Sequence, residues 1–160
     1  MSEIEYDAGL KPVTKVFISH QKADSDAAKR ISNRVQLNGL STYLDVVDDA
    51  LSKPGQDLGD HIRSRMDSCT HLIAVVSQAT TQSWWVPWEI GIATDRNFFI
   101  STYALDVMNL PAFLKKWPYL RSLAEIDDYV KESNKAQKRF LAEANQRKEF
   151  HTSLKRTLKQ

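Results

Sequence analysis

The chain reads as an α/β domain built on a parallel sheet, and three observations carry that expectation. Short apolar, β-favouring runs alternate along it with stretches of helical spacing, and near-continuous apolar runs mark strands covered on both faces. A strand, a helix and a second strand fit within about 30 residues, the size of one right-handed parallel crossover. With 160 residues, 42% hydrophobic and 26% charged, there is material for one core.

Residues 1–14, with Glu3, Glu5, Asp7, Gly9 and Pro12, lack periodicity and read as a lead-in to one domain over 15–160. Lys15 to His20 is the first apolar run, a strand over Val16–Ser19 that leaves Ser19 and His20 at its carboxyl end. From Asp24 to Leu37 the spacing is helical: Ala27, Ile31 and Val35, flanked by Ala28 and Leu37, form one apolar stripe, and Gly39 closes the helix. Leu40 to Asp45 supplies the next strand, over Thr42–Leu44. The connection from Asp45 to Gln56 holds Asp48, Asp49, Lys53, Pro54 and Gly55 and exceeds the usual strand-to-helix length of about 2–6 residues.

A helix from about Asp57 to Ser68 turns Leu58, Ile62 and Met66 inward and Arg63 and Arg65 outward. Thr70 to Ser77 is the most apolar run, so its strand, Leu72–Ser77, is expected at the centre of a sheet of four or five strands. A helix carrying Glu89 to about Arg96 precedes a strand over Phe99–Tyr103. Pro111, Trp117 and Pro118 break the stretch from Leu110 to Leu123 into short pieces. The region 127–158 is charged and helical in character, with Phe140, Leu141, Ala144, Phe150, Leu154 and Leu158 as inward positions and its Lys and Arg on a solvated face.

Composition narrows the functions. A net charge of +2 without one dense basic patch argues against nucleic acid. Cys69 is the only cysteine, which excludes an intramolecular disulfide and a cysteine-rich zinc site and suits a reducing cytoplasm; it reads as a small buried hydrophobe. His61, His71 and His151 lack metal-ligand spacing and read as structural, so no metal is expected. No basic segment precedes an apolar core at the N-terminus, and no run approaches the roughly 18 apolar residues of a membrane span, so a chain without membrane contact is expected. A glycine-rich fingerprint after the first strand and a P-loop are both missing, and Gly55-x-x-x-Gly59 does not replace them.

The densest chemistry lies in Ser83-Trp84-Trp85-Val86-Pro87-Trp88-Glu89-Ile90-Gly91. Proline suits a first helical turn, and Ser83 or a neighbour would cap it. In such a helix Trp85 and Glu89, four apart, set an aromatic wall beside a carboxylate. The plainer reading is an aromatic cluster with a solvent-facing glutamate; Trp84 and Trp88 read as packing residues in either case. Ligands of open parallel sheets bind beyond the carboxyl ends of the strands, where Ser19-His20, the 45–56 connection and the Trp85/Glu89 helix all converge.

The order Val16-Phe17-Ile18-Ser19, Asp24, Tyr43-Leu44-Asp45, Leu72-Ile73-Ala74-Val75-Val76-Ser77 and Ser83-x-Trp85-x-x-x-Glu89 resembles TIR (Toll/interleukin-1 receptor) domains over about Lys15 to Ile100. The resemblance implies a flavodoxin-like fold and one of two roles. Some TIR domains are non-catalytic adaptors that assemble through the loop after the second strand. Others cleave NAD+ to nicotinamide and ADP-ribose or a cyclic isomer. Glu89 falls where the enzymatic branch keeps its catalytic acid, Trp85 at the motif's aromatic position, and Ser19, His20, Asp45 and Asp48 where the family lines its nucleotide cleft.

The expected function is therefore an NAD+-consuming enzyme in which NAD+ is the substrate and no separate cofactor is needed. Self-association through the 45–56 loop and a separate effector protein sensing the product, in antiphage immune signalling, are implied by the same resemblance. The alternatives are an adaptor acting through protein–protein contact, and a nucleoside deoxyribosyltransferase-like enzyme using the carboxylate as a covalent nucleophile.

Overall fold

A computed structural model describes residues 14–44, 55–82, 85–106, 110–138 and 146–160, with backbone only at 55–58, 81, 82, 85, 136–138 and 146–148. The strands are β1 (Lys15–Ser19), β2 (Ser41–Leu44), β3 (His71–Val76), β4 (Phe99–Ala104) and β5 (Tyr119–Leu120). The helices are α1 (Ser25–Leu37), α2 (Gly55–Met66), α3 (Trp85–Asp95), α4 (Leu123–Lys138) and α5 (Gln146–Thr157). The sheet order is β2-β1-β3-β4-β5 with every pair parallel, the flavodoxin-like arrangement, in which the order reverses between β1 and β3.

β3 lies at the centre, as its unbroken apolar run requires, and all six of its residues are buried. Its pleat feeds two cores. Ile73 and Val75 join Val16, Ile18, Phe99 and Tyr103 beneath α1, α4 and α5, whereas Leu72, Ala74 and Val76 join Phe17 and Ile100 beneath α2 and α3. Successive strand residues point to opposite faces, so a strand covered on both must be apolar throughout.

Four details differ from expectation. Leu37 is 82% exposed: it ends α1, where the apolar stripe has rotated away from the sheet. α2 begins at Gly55, so the last two positions of the 45–56 connection are helical. β5 was not legible because two residues are too few to show a period. The C-terminal region holds two separate helices, α4 and α5, in place of one helical stretch over 127–158. Phe150 and Leu154 are buried and Leu158 is partly buried, as expected, while Phe140, Leu141 and Ala144 lie outside the described residues. Gly39 follows α1 at φ +93°, the left-handed conformation that suits glycine after a helix.

His71 is structural. It stacks on Phe99 at 4.5 Å between ring centroids and meets Phe150 edge-on at 5.7 Å. Burial, and secondarily the charge of nearby His151, lower its pKa from 6.5 to about 3. The unfolded chain therefore takes up a proton at this residue below about 6.5, and the folded chain does not until about 3. Stability is full above that window and falls as pH drops through it. Thermal unfolding midpoints should decline from pH 7 to pH 4 more steeply in the native chain than in His71→Phe; equal slopes would contradict the assignment.

Candidate active site at the carboxyl ends of the strands

Parallel strands deliver their carboxyl ends to one rim of the sheet, and the site is built there. Ser19 is the last residue of β1, at the position where the strand order reverses. α3 starts on the same rim, with Trp85 as its first residue, Pro87 in its first turn and Glu89 one turn into it. The proline N–H would have lacked an intrahelical partner in any case, so the residue fits without cost.

Glu89 is completely buried, which overturns the plainer reading of a solvent-facing glutamate. The Ser19 hydroxyl, also completely buried, donates a short hydrogen bond to its Oε2 across 70 residues of sequence. The bond holds the acid group against the end of β1. His20 is 4% exposed, and its Nδ1 lies 3.4 Å from the Ile18 carbonyl oxygen of its own strand. The imidazole thus packs at the carboxyl end of β1.

One feature of the rim was not singled out from sequence as a site element. The Ser77 hydroxyl donates to Asp24 Oδ2 at 2.7 Å, and the Ser77 backbone N–H donates to Thr80 Oγ1 at 2.9 Å. Asp24 follows β1 and Ser77 follows β3, so this bond ties the segment after His20 to the segment leading into α3. Both residues stand in the TIR-like motif order, but polar residues beyond strand ends are common to strand-to-helix turns, and nothing in the sequence pairs these two.

Of the remaining sequence-derived positions, Trp85 opens α3, and its side chain lies outside the described set. Asp45, Asp48, Ser83 and Trp84 are also outside the described residues. Trp88 is 39% exposed and lies over α2, with its ring edge 3.7 Å from where a Cβ on Gly59 would stand. It packs at the surface as expected, on the side of α3 that meets α2. Among the described residues no three His, Cys, Asp or Glu side chains gather as metal ligands, and no helix is long and apolar enough to cross a membrane.

A sequence model of the TIR domain matches residues 16–142. The chain belongs to the TIR domain family. The match extends past Ile100 through β5 and α4, beyond the part legible as TIR-like by motif. A relative from Bacillus cereus (strain MSX-D12), named a probable 3' cyclic ADP-D-ribose synthase ThsB', is 32% identical over 79 residues. That alignment takes in 48% of this TIR domain and spans only 41% of the relative's length.

Among solved structures, the TIR domains of the activated Roq1 resistosome recognising the pathogen effector XopQ are 17% identical, with a TM-score of 0.47, covering 88% of this chain and 82% of that one. A diflavin flavoprotein A3 from Nostoc sp. is 11% identical, with a TM-score of 0.41, covering 89% and 99%. Likeness of architecture across such different proteins does not carry chemistry, which has to be argued from the site.

Proposed function

We propose that this TIR domain cleaves the bond between nicotinamide and ribose in NAD+. The observation that carries the reading is a single carboxylate, Glu89, wholly buried at the carboxyl rim of a parallel sheet and held there by the Ser19 hydroxyl. The relative named as a cyclic ADP-ribose synthase supports the same substrate.

Nicotinamide in NAD+ is already cationic and leaves as a neutral molecule, so departure needs no general acid. The ribose carbon then carries oxocarbenium character, which a fixed carboxylate stabilises by charge and by accepting hydrogen bonds from the ribose hydroxyls. Burial raises the value of that charge, because little water competes for it. A ribose hydroxyl takes over the bond that Ser19 makes to Glu89, so Ser19 is both the resting partner of the acid and part of the substrate's binding wall. By resemblance to the family, His20, Asp45 and Asp48 are assigned to substrate binding and Trp85 to holding a flat ring.

Whichever nucleophile stands nearest captures the ribose carbon after nicotinamide leaves. Complete burial of Glu89 favours an atom of the substrate itself over bulk water, and hence a cyclic ADP-ribose isomer used as an immune signal. Such a signal is read by a separate effector protein in the cytoplasm, and activity rises when copies associate through the 45–56 segment.

Chromatography with mass detection separates the outcomes, since the cyclic product is lighter than ADP-ribose by one water. A cyclic product supports the full reading. Linear ADP-ribose alone, from concentrated and associated protein, reduces it to NAD+ depletion, and intact NAD+ would leave assembly through protein contacts as the role of the domain.

A further inference from the structure

A cavity lies at the opposite, amino-terminal end of the sheet, and we propose that it binds a nucleoside monophosphate. Its origin is topological. β5 pairs with Thr102 and Tyr103, so among the described residues no strand flanks the first half of β4 on its outer side. The Thr102 N–H on that side reaches the Pro118 carbonyl oxygen at 2.9 Å, while the Ile100 N–H two residues earlier is taken by His151 Nε2 of α5 at 3.0 Å. Beside that half of β4, the end of α3, the segment before β5 and α5 line an open recess of about 400 Å³. That is within the range of small-molecule sites, roughly 300–1,000 Å³.

The chemistry of the walls selects the ligand. Lys116 and Lys155 supply two cations. Lys155 Nζ donates to the Lys115 carbonyl oxygen at 2.9 Å, and Lys116 Nζ sits 5.5 Å from the Trp117 ring centroid. Each ammonium has three N–H donors and these contacts use only part of them. Among the described residues neither lysine is ion-paired with a carboxylate, and no acidic residue lines the cavity. Two cations without a carboxylate partner on the walls of one recess attract a dianion.

Phe98, Ile100 and Trp117 give an apolar wall, which suits a base. Thr94 and Asn97 from the end of α3, with Thr152 of α5, add hydroxyl and amide groups, which suit a ribose. Apolar ring, hydroxylated sugar and dianion are the three parts of a nucleoside monophosphate. The site shares no residue with the Ser19–Glu89 rim and stands independently of whether Glu89 cleaves NAD+.

AMP, adenosine and inorganic phosphate titrated separately into the intact chain by calorimetry test the assignment. AMP is expected to bind saturably, with adenosine and phosphate each at least about tenfold weaker, because each lacks part of what the walls recognise. Lys116→Glu with Lys155→Glu should weaken AMP by at least about tenfold with the fold retained by circular dichroism. The same charge change at exposed Lys29 and Arg30 of α1 controls for net charge and should leave binding within about twofold. Failure of AMP to bind, equal loss in both double variants, or phosphate binding as tightly as AMP would each overturn the proposal.

Discussion

Glu89→Gln is expected to lower nicotinamide release from NAD+ by about 10²-fold or more while leaving the thermal unfolding midpoint within a few degrees of the native chain. The amide has the shape of the carboxylate, and its oxygen can still accept the Ser19 hydroxyl bond. What disappears is the charge facing the developing oxocarbenium carbon. In a completely buried position that charge has few competitors, so its loss should fall on the chemical step. Turnover number should therefore drop far more than apparent substrate affinity, measured by initial rates over a range of NAD+ concentrations. A variant that keeps native turnover would remove Glu89 from the mechanism.

The second large effect is on stability. Phe150→Ala should destabilise the domain by about 3–5 kcal/mol, the usual cost of removing a buried aromatic ring. Phe150 on α5 lies 5.1 Å from Phe99, 5.7 Å from His71 and 5.9 Å from Tyr129 between ring centroids, all edge-on. It thus joins α5 to β3, β4 and α4 in one cluster. At roughly 2–4 °C per kcal/mol for a domain of this size, the midpoint should fall by about 6–20 °C. Circular dichroism melts of the two chains decide it. An unchanged midpoint would mean that the last helix is an appendage and not part of the core.

That result bears on how far the sequence alone could be read. β1 to β4 were legible because burial on both faces demands near-continuous apolar runs, and Leu72-Ile73-Ala74-Val75-Val76 could only be a central strand. α1 and α2 followed from Ala27, Ile31 and Val35, and from Ile62 and Met66, at helical spacing. β5 was invisible because Tyr119 and Leu120 alone carry no period, and its existence depends on the edge that β4 offers. The Trp85–Glu89 spacing gave the helix and its rim, yet the bond from Ser19 to Glu89 joins residues 70 apart and depends on the order reversal between β1 and β3. The cavity at the amino-terminal end of the sheet had no sequence signature either. Lys116 and Lys155 are unremarkable in a basic C-terminal third and come to line one recess only through the fold.

Free nicotinamide measured over time from purified chain and NAD+, at protein concentrations high enough for copies to associate, tests the central claim most directly. Release that grows in proportion to protein and time, and is absent from Glu89→Gln, is the expected result. No release from well-folded, associated native protein would contradict it.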